Sequence, residues 1–197
     1  ILLKAHQAPA EMRAVLAEVT AAGVQGNAYT WTILMRAYKH PEERRAVMEE
    51  MREVGVAPDA TSWNTLLLAY RGKSAEEMQA VMDEMLVAGV APDSVSYSIL
   101  LNSYLKKGGA REVIAIFESR LKGSPGLINN YIVTAVVRAL AAVGSEADIT
   151  AFWNLYKERL QRKDMKVLTD LSLKPYNNVD DAGVGWSVLR DLLPGHI

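Results

Sequence analysis

The sequence contains no cysteine. Disulfides, thiolate metal sites and a cysteine nucleophile are therefore excluded. Its three histidines, His6, His40 and His196, stand far apart and match no H-x-x-x-H spacing, so a histidine-rich metal site is not expected. Aromatic residues make up only 7% of the 197 positions, and prolines number seven. A β-sandwich would carry more Thr, Tyr, Phe and Ile, and a chain of tight turns would carry more proline. Charge of one sign is also lacking. The net charge is −1 and the isoelectric point about 6.4, so bulk electrostatics announce no nucleic-acid partner. No apolar run approaches the roughly 20 residues needed to cross a bilayer. There is no phosphate-binding glycine loop, no metal-ligand spacing and no Ser/His/Asp arrangement. An enzyme is thus the least expected class. The sequence opens on Ile1 rather than methionine, and the expectation is that the native start, with or without a targeting peptide, lies upstream.

What is present is an apolar half, 50% of the chain, made mostly of Ala, Val, Leu and Met. That composition favours helices and supplies a core. The length fits one ordinary domain or two small ones.

The chain repeats itself. Gly55-Val56-Ala57-Pro58-Asp59 recurs identically as Gly89-Val90-Ala91-Pro92-Asp93, an offset of 34 residues. Glu49-Glu50-Met51 recurs as Asp83-Glu84-Met85 at the same offset, and Thr61 to Leu67 resembles Val95 to Leu101. A weaker copy begins at Gly23 and continues through Tyr29-Thr30-Trp31-Thr32. Each unit reads as two helices. Trp63, Leu66, Leu67 and Tyr70 fall at i, i+3, i+4 and i+7 in a first helix over 61–70. Met78, Val81, Met82 and Met85 do the same in a second helix over 75–87. Ser74 and Glu77 form a capping-box pattern, Gly89 sits where a left-handed residue is wanted, and Pro92 stops continuation. Further helices are expected over 10–22, 110–121, 130–143 and 147–161, with a short one over 186–193.

One hairpin cannot bury its apolar face alone, and stacked neighbours can. The expected fold is all-α, a right-handed α-solenoid of helix–turn–helix repeats. Its units are 1–27 (a partial leading repeat whose first helix is suggested only by Ile1-Leu2-Leu3), 28–59, 60–93, 94–129 and a divergent 130–163, followed by a capping tail over 164–197.

The glycine and alanine landmarks of tetratricopeptide repeats are missing. The run Trp63-Asn64-Thr65-Leu66-Leu67, Met78, Met82, Asp83-Glu84-Met85, Gly89-Val90-Ala91-Pro92-Asp93 resembles a pentatricopeptide repeat protein, whose consensus is close to V-T-Y-N-T-L-I…L-F-x-E-M…G-x-x-P-D. The resemblance is strong over 28–129, fair over 10–27 and 130–161, and absent beyond. It implies modular reading of single-stranded RNA, one base per repeat. It implies base-reading pairs Thr32 with Asp59, Asn64 with Asp93 and Ser98 with Asn129, matched to guanine, uracil and adenine, with Thr134 opening a fourth pair. It further implies base sandwiching by Tyr29, Thr61, Val95 and Tyr131, where the family usually has valine. The location implied is an organelle, a mitochondrion ahead of a plastid. No cofactor, membrane or small-molecule substrate is expected.

These residues also have plainer readings. Asp59, Asp93 and Asn129 suit helix N-caps, Asn64 and Ser98 suit solvated positions, and Trp31, Trp63 and Tyr97 suit the core. Charge opposes the RNA reading: residues 27–93 hold seven Lys and Arg against eleven Asp and Glu. A basic cluster, Lys157, Arg159, Arg162, Lys163 and Lys166, is a candidate for phosphate contact or an ordinary helix end. The rival expectation is a scaffold subunit of an organellar ribonucleoprotein such as a mitochondrial ribosome, held by protein partners and rRNA backbone.

Overall fold

The structure, a computed structural model, describes residues 8–160, 164, 166, 168, 188 and 191–193. Helices occupy most of them: α1 Pro9–Ala21, α2 Ala28–Ala37, α3 Pro41–Glu53, α4 Ala60–Ala69, α5 Ala75–Val87, α6 Ser94–Lys106, α7 Ala110–Ile116, α8 Asn130–Val143 and α9 Glu146–Tyr156. No strand occurs among the described residues.

Two compact units form, residues 1–99 and 100–197. In the first, α2 packs on α3 and α4 packs on α5 as hairpins, and α2 also lies against α4. In the second, α8 packs on both α7 and α9.

The punctuation follows the sequence signals. Ser74 accepts from the Glu77 amide while the Glu77 carboxylate accepts from the Ser74 amide, so both members of the box are satisfied. Gly55 and Gly89 take φ of +80° and +77°. Their amides bond to the carbonyls of Arg52 and Leu86, and the next amides, Val56 and Val90, reach back to Met51 and Met85. These are Schellman ends, in which a Cβ at the left-handed residue would be strained.

The first core is built from the periodic residues. Trp63, Leu66 and Leu67 on α4 and Met78, Val81, Met82 and Met85 on α5 are buried. Each such side chain contributes about 1.5–3 kcal/mol relative to exposure. Trp31, Trp63 and Tyr97 are core residues, none more than 8% exposed.

Two helices depart from expectation. The helix expected over 110–121 gives way at Phe117 to a wider turn, Phe117–Leu121, in which the Lys122 amide bonds to the Phe117 carbonyl. Ser119 Oγ donates to the Ala115 carbonyl at 2.7 Å and competes with the regular ladder there. The last helix stops at Tyr156, and Lys157–Arg159 tightens into a 3₁₀ turn. Arg159 causes the local fold-back, since its Nη1 donates to the carbonyls of Pro125 (3.0 Å) and Ile128 (2.7 Å). The suggested helix at Ile1-Leu2-Leu3 lies outside the described residues, as does most of the 164–197 tail. Of the helix expected over 186–193, Val188, Asp191 and Leu192 are described and helical.

Candidate nucleic-acid interface

The last residue of each repeat caps the next first helix. Asn27, Asp59, Asp93 and Asn129 accept from the backbone amides of Thr30 (3.0 Å), Ser62 (2.8 Å), Ser96 (2.9 Å) and Ile132 (3.0 Å). Sequence dictates this, because a short oxygen-bearing side chain three residues before a free amide satisfies an orphan donor of the first turn.

The candidate reading residues stand one turn further along. Asn64 is joined directly to its expected mate: its Nδ2 donates to Asp93 Oδ1 at 3.1 Å. That oxygen also accepts from the amides of Val95 and Ser96 and from Ser96 Oγ. Burial pushes the Asp93 carboxyl up, but these hydrogen bonds outweigh it and hold the group below the usual carboxylate value. All the bonds end on Oδ1, so Oδ2 remains for an incoming donor.

The other three first helices behave differently. Thr32, Ser98 and Thr134 each donate to the carbonyl four residues back, at 2.9, 2.6 and 2.8 Å. Thr32 is 1% exposed and also meets Ser62 Oγ at 3.0 Å, so its hydroxyl is not presented to solvent. In that pair Asp59 is the exposed member. Ser98 and Asn129 fall in different units.

The candidate base-sandwiching residues are all exposed. Tyr29, Val95 and Tyr131 show 52%, 48% and 55% of their surface, and Thr61 is exposed as well. Each is the second residue of its first helix. A half-exposed tyrosine or valine at the same place in successive helices is a ready apolar platform.

Sequence reasoning missed Asp164. It is 7% exposed, and its carboxylate accepts from Asn130 Nδ2 at 3.1 and 3.0 Å. It stands 30 residues after Thr134, against 29 from Asn64 to Asp93 and 31 from Ser98 to Asn129. Spacing alone would have found it, but the Pro-Asp flank that ends 28–59 and 60–93 is absent.

Of the basic cluster, Lys157 and Lys166 are exposed. Arg159 is committed to the loop before α8, and Arg162 and Lys163 lie outside the described residues.

The charges divide between the two kinds of helix. The first-helix segments 28–40, 60–73, 94–107 and 130–143 contain no Asp or Glu at all. They carry seven cations: Arg36, Lys39, Arg71, Lys73, Lys106, Lys107 and Arg138. All but Arg138 are exposed. The acidic excess sits on second helices: Glu42, Glu43, Glu76 and Glu77 occupy their first turns, where the helix dipole favours them. Glu49 and Glu50 belong to α3 and pair with Arg52 and Arg13.

The family profile for the pentacotripeptide-repeat region of PRORP matches residues 2–124. The chain belongs to the pentatricopeptide repeat family. Among solved structures it resembles the pentatricopeptide repeat protein PPR10 in complex with an 18-nt psaJ RNA element, with a TM-score of 0.56 at 23% identity over 76% of this chain. It also resembles the pentatricopeptide domain of Arabidopsis thaliana protein-only RNase P 1 in complex with tRNA, with a TM-score of 0.54 at 16% identity over 91% of this chain and 90% of that one. The match spans 22% of the PPR10 chain. No curated protein sequence matches the chain. At these identities the likeness establishes the fold, that of an all-α pentatricopeptide solenoid.

Proposed function

We propose that this pentatricopeptide repeat chain binds single-stranded RNA through its first helices, in organellar RNA processing, stability or translation. The observation that carries the reading is the charge segregation. Four first-helix segments hold seven cations and no acid, so the near-zero total conceals a basic set on the elements that bear the reading positions. Tyr29, Thr61, Val95 and Tyr131 offer the stacking surfaces, while Asp59, Asn64 with Asp93, and Asn129 offer polar edges. Asp164 serves as the fourth mate, opposite Thr134. Lys157 and Lys166 add phosphate contacts. The relatives crystallised with RNA support this reading by fold.

The test is a fluorescent oligonucleotide carrying a G-U-A triplet. It should bind more tightly than its scrambled counterpart, and equal affinity for every sequence would overturn the base-reading assignment.

One observation favours the scaffold reading. Unit 2 has an open apolar cavity of about 540 Å³, bordered by Ile114, Leu140 and a Leu155 that is 73% exposed. Stoichiometric protein partners that survive nuclease treatment and moderate salt would support that alternative.

A further inference from the structure

Two serine hydroxyls lie between the residues that the RNA reading assigns to bases. Ser96 Oγ donates to Asn64 Oδ1 at 2.6 Å, stands 3.1 Å from Asp93 Oδ1, and accepts from the Asp93 amide at 3.2 Å. Ser62 Oγ repeats the arrangement, 3.0 Å from Thr32 Oγ1 and 2.9 Å from Asp59 Oδ1. Both serines are fully buried, and both stand three residues after the aspartate they touch. The equivalent in unit 2 is Ile132, which has no hydroxyl and is likewise buried.

The Asn64 amide has two possible orientations, and its neighbours select one. With Nδ2 toward Asp93, the amide donates to a carboxylate while its oxygen receives the Ser96 proton. Turned over, Oδ1 would face the Asp93 carboxylate with no proton between them. An ionised carboxylate only accepts, so that contact would be repulsive. The selected orientation leaves one Nδ2 proton and Asp93 Oδ2 outside this network, a donor beside an acceptor.

We propose that Ser96 is a positioning residue for base reading: supplied by the following repeat, it ties together Asn64 and Asp93, the two reading residues of the repeat before it. At Asn64 the Asp93 carboxylate selects which end of the amide a base meets, and the serine hydroxyl holds the amide there. A reading site is therefore three residues. This inference rests on the RNA reading above.

The experiment uses the full chain and four oligonucleotides that differ only at the central base of the G-U-A triplet. Wild-type protein, Ser96→Ala and Ser96→Thr are compared. Ser96→Ala should cut the ratio of best to worst affinity by about three- to tenfold, the worth of one hydrogen bond. Ser96→Thr should restore it, because Thr30 already makes the equivalent bond to Asn27 Oδ1 at 3.0 Å. An unchanged ratio in Ser96→Ala, with a discriminating wild type, overturns the proposal. If the wild type does not discriminate, base reading itself fails, and the Asp93 titration followed by NMR then decides the network. Its midpoint should rise in Ser96→Ala, and an unmoved midpoint refutes the positioning role.

Discussion

Arg45 reaches across 39 residues to Glu84, its guanidinium forked onto the carboxylate at 2.5 and 3.2 Å while Nη2 meets the Tyr70 hydroxyl at 3.2 Å. Arg13 makes the same set with Glu50 (2.6 and 2.8 Å) and Tyr38 (2.6 Å). The clamp is a repeated device that bridges successive second helices in unit 1. It holds each guanidinium well above its usual pKa, first through the glutamate hydrogen bond. Arg45 and Glu84 are about 40% exposed, so solvent screens the pair. Arg45→Ala should lower the unfolding free energy by roughly 1 kcal/mol at low salt, and less at 1 M salt. A double-mutant cycle with Glu84→Gln in urea measures the coupling, and zero coupling at low salt would show the fork to be ornamental.

Asp93 predicts an acid limb in the stability curve. Its folded-state pKa lies below the ordinary value, so its contribution is complete above the unfolded value of about 3.9 and is lost as pH falls through the folded one. The melting temperature should therefore hold between pH 7 and about pH 5 for this group and decline below about pH 4. Asp93→Asn keeps an oxygen for the cap but no longer titrates. Its acid limb should be shallower than that of the wild type, and superimposable curves would rule out a role for this carboxyl.

Trp63 separates packing from polarity. Its ring is 2% exposed, its indole N–H has no partner among the described residues, and the Arg52 guanidinium lies 5.3 Å from the ring centroid. Trp63→Ala should cost about 3–5 kcal/mol through the cavity it leaves. Trp63→Phe should cost markedly less, because no hydrogen bond is lost and the cation still faces a ring. Equal losses in the two variants, read by thermal unfolding, would mean that the indole N–H is satisfied in solution.

Much of this was legible from spacing. The helix over 75–87, the Ser74 box and the glycine ends were written locally, in residues whose neighbours in sequence are also their partners in space. The burial of Trp31, Trp63 and Tyr97 followed from a period of 3.6. What escaped was chemistry shared between repeats. Ser96 meets Asn64 across 32 residues, and no local pattern announces that bond. Thr32 looked available for a base, yet the serine of the next repeat and the carbonyl of its own first turn claim its hydroxyl. The charge objection was a sum over 27–93, which mixes two kinds of helix whose charges are opposite in sign.

That opposition gives a test that discriminates between helices. Arg36 and Arg71 sit at the ends of α2 and α4, exposed and on segments without acid. If they meet phosphate, Arg36→Gln and Arg71→Gln should each weaken binding to every oligonucleotide alike. Each should also make the slope of log affinity against log salt shallower by about one unit. Base preference should not change, because a phosphate contact carries no sequence information. Arg52 carries the same charge on α3, where its Nη1 pairs with Glu49 at 2.5 Å and its ring partner is Trp63. Arg52→Gln should leave the salt slope where it was. Equal effects at Arg36, Arg71 and Arg52 would mean that RNA responds only to net charge, and the first helices would lose their claim to be the binding face.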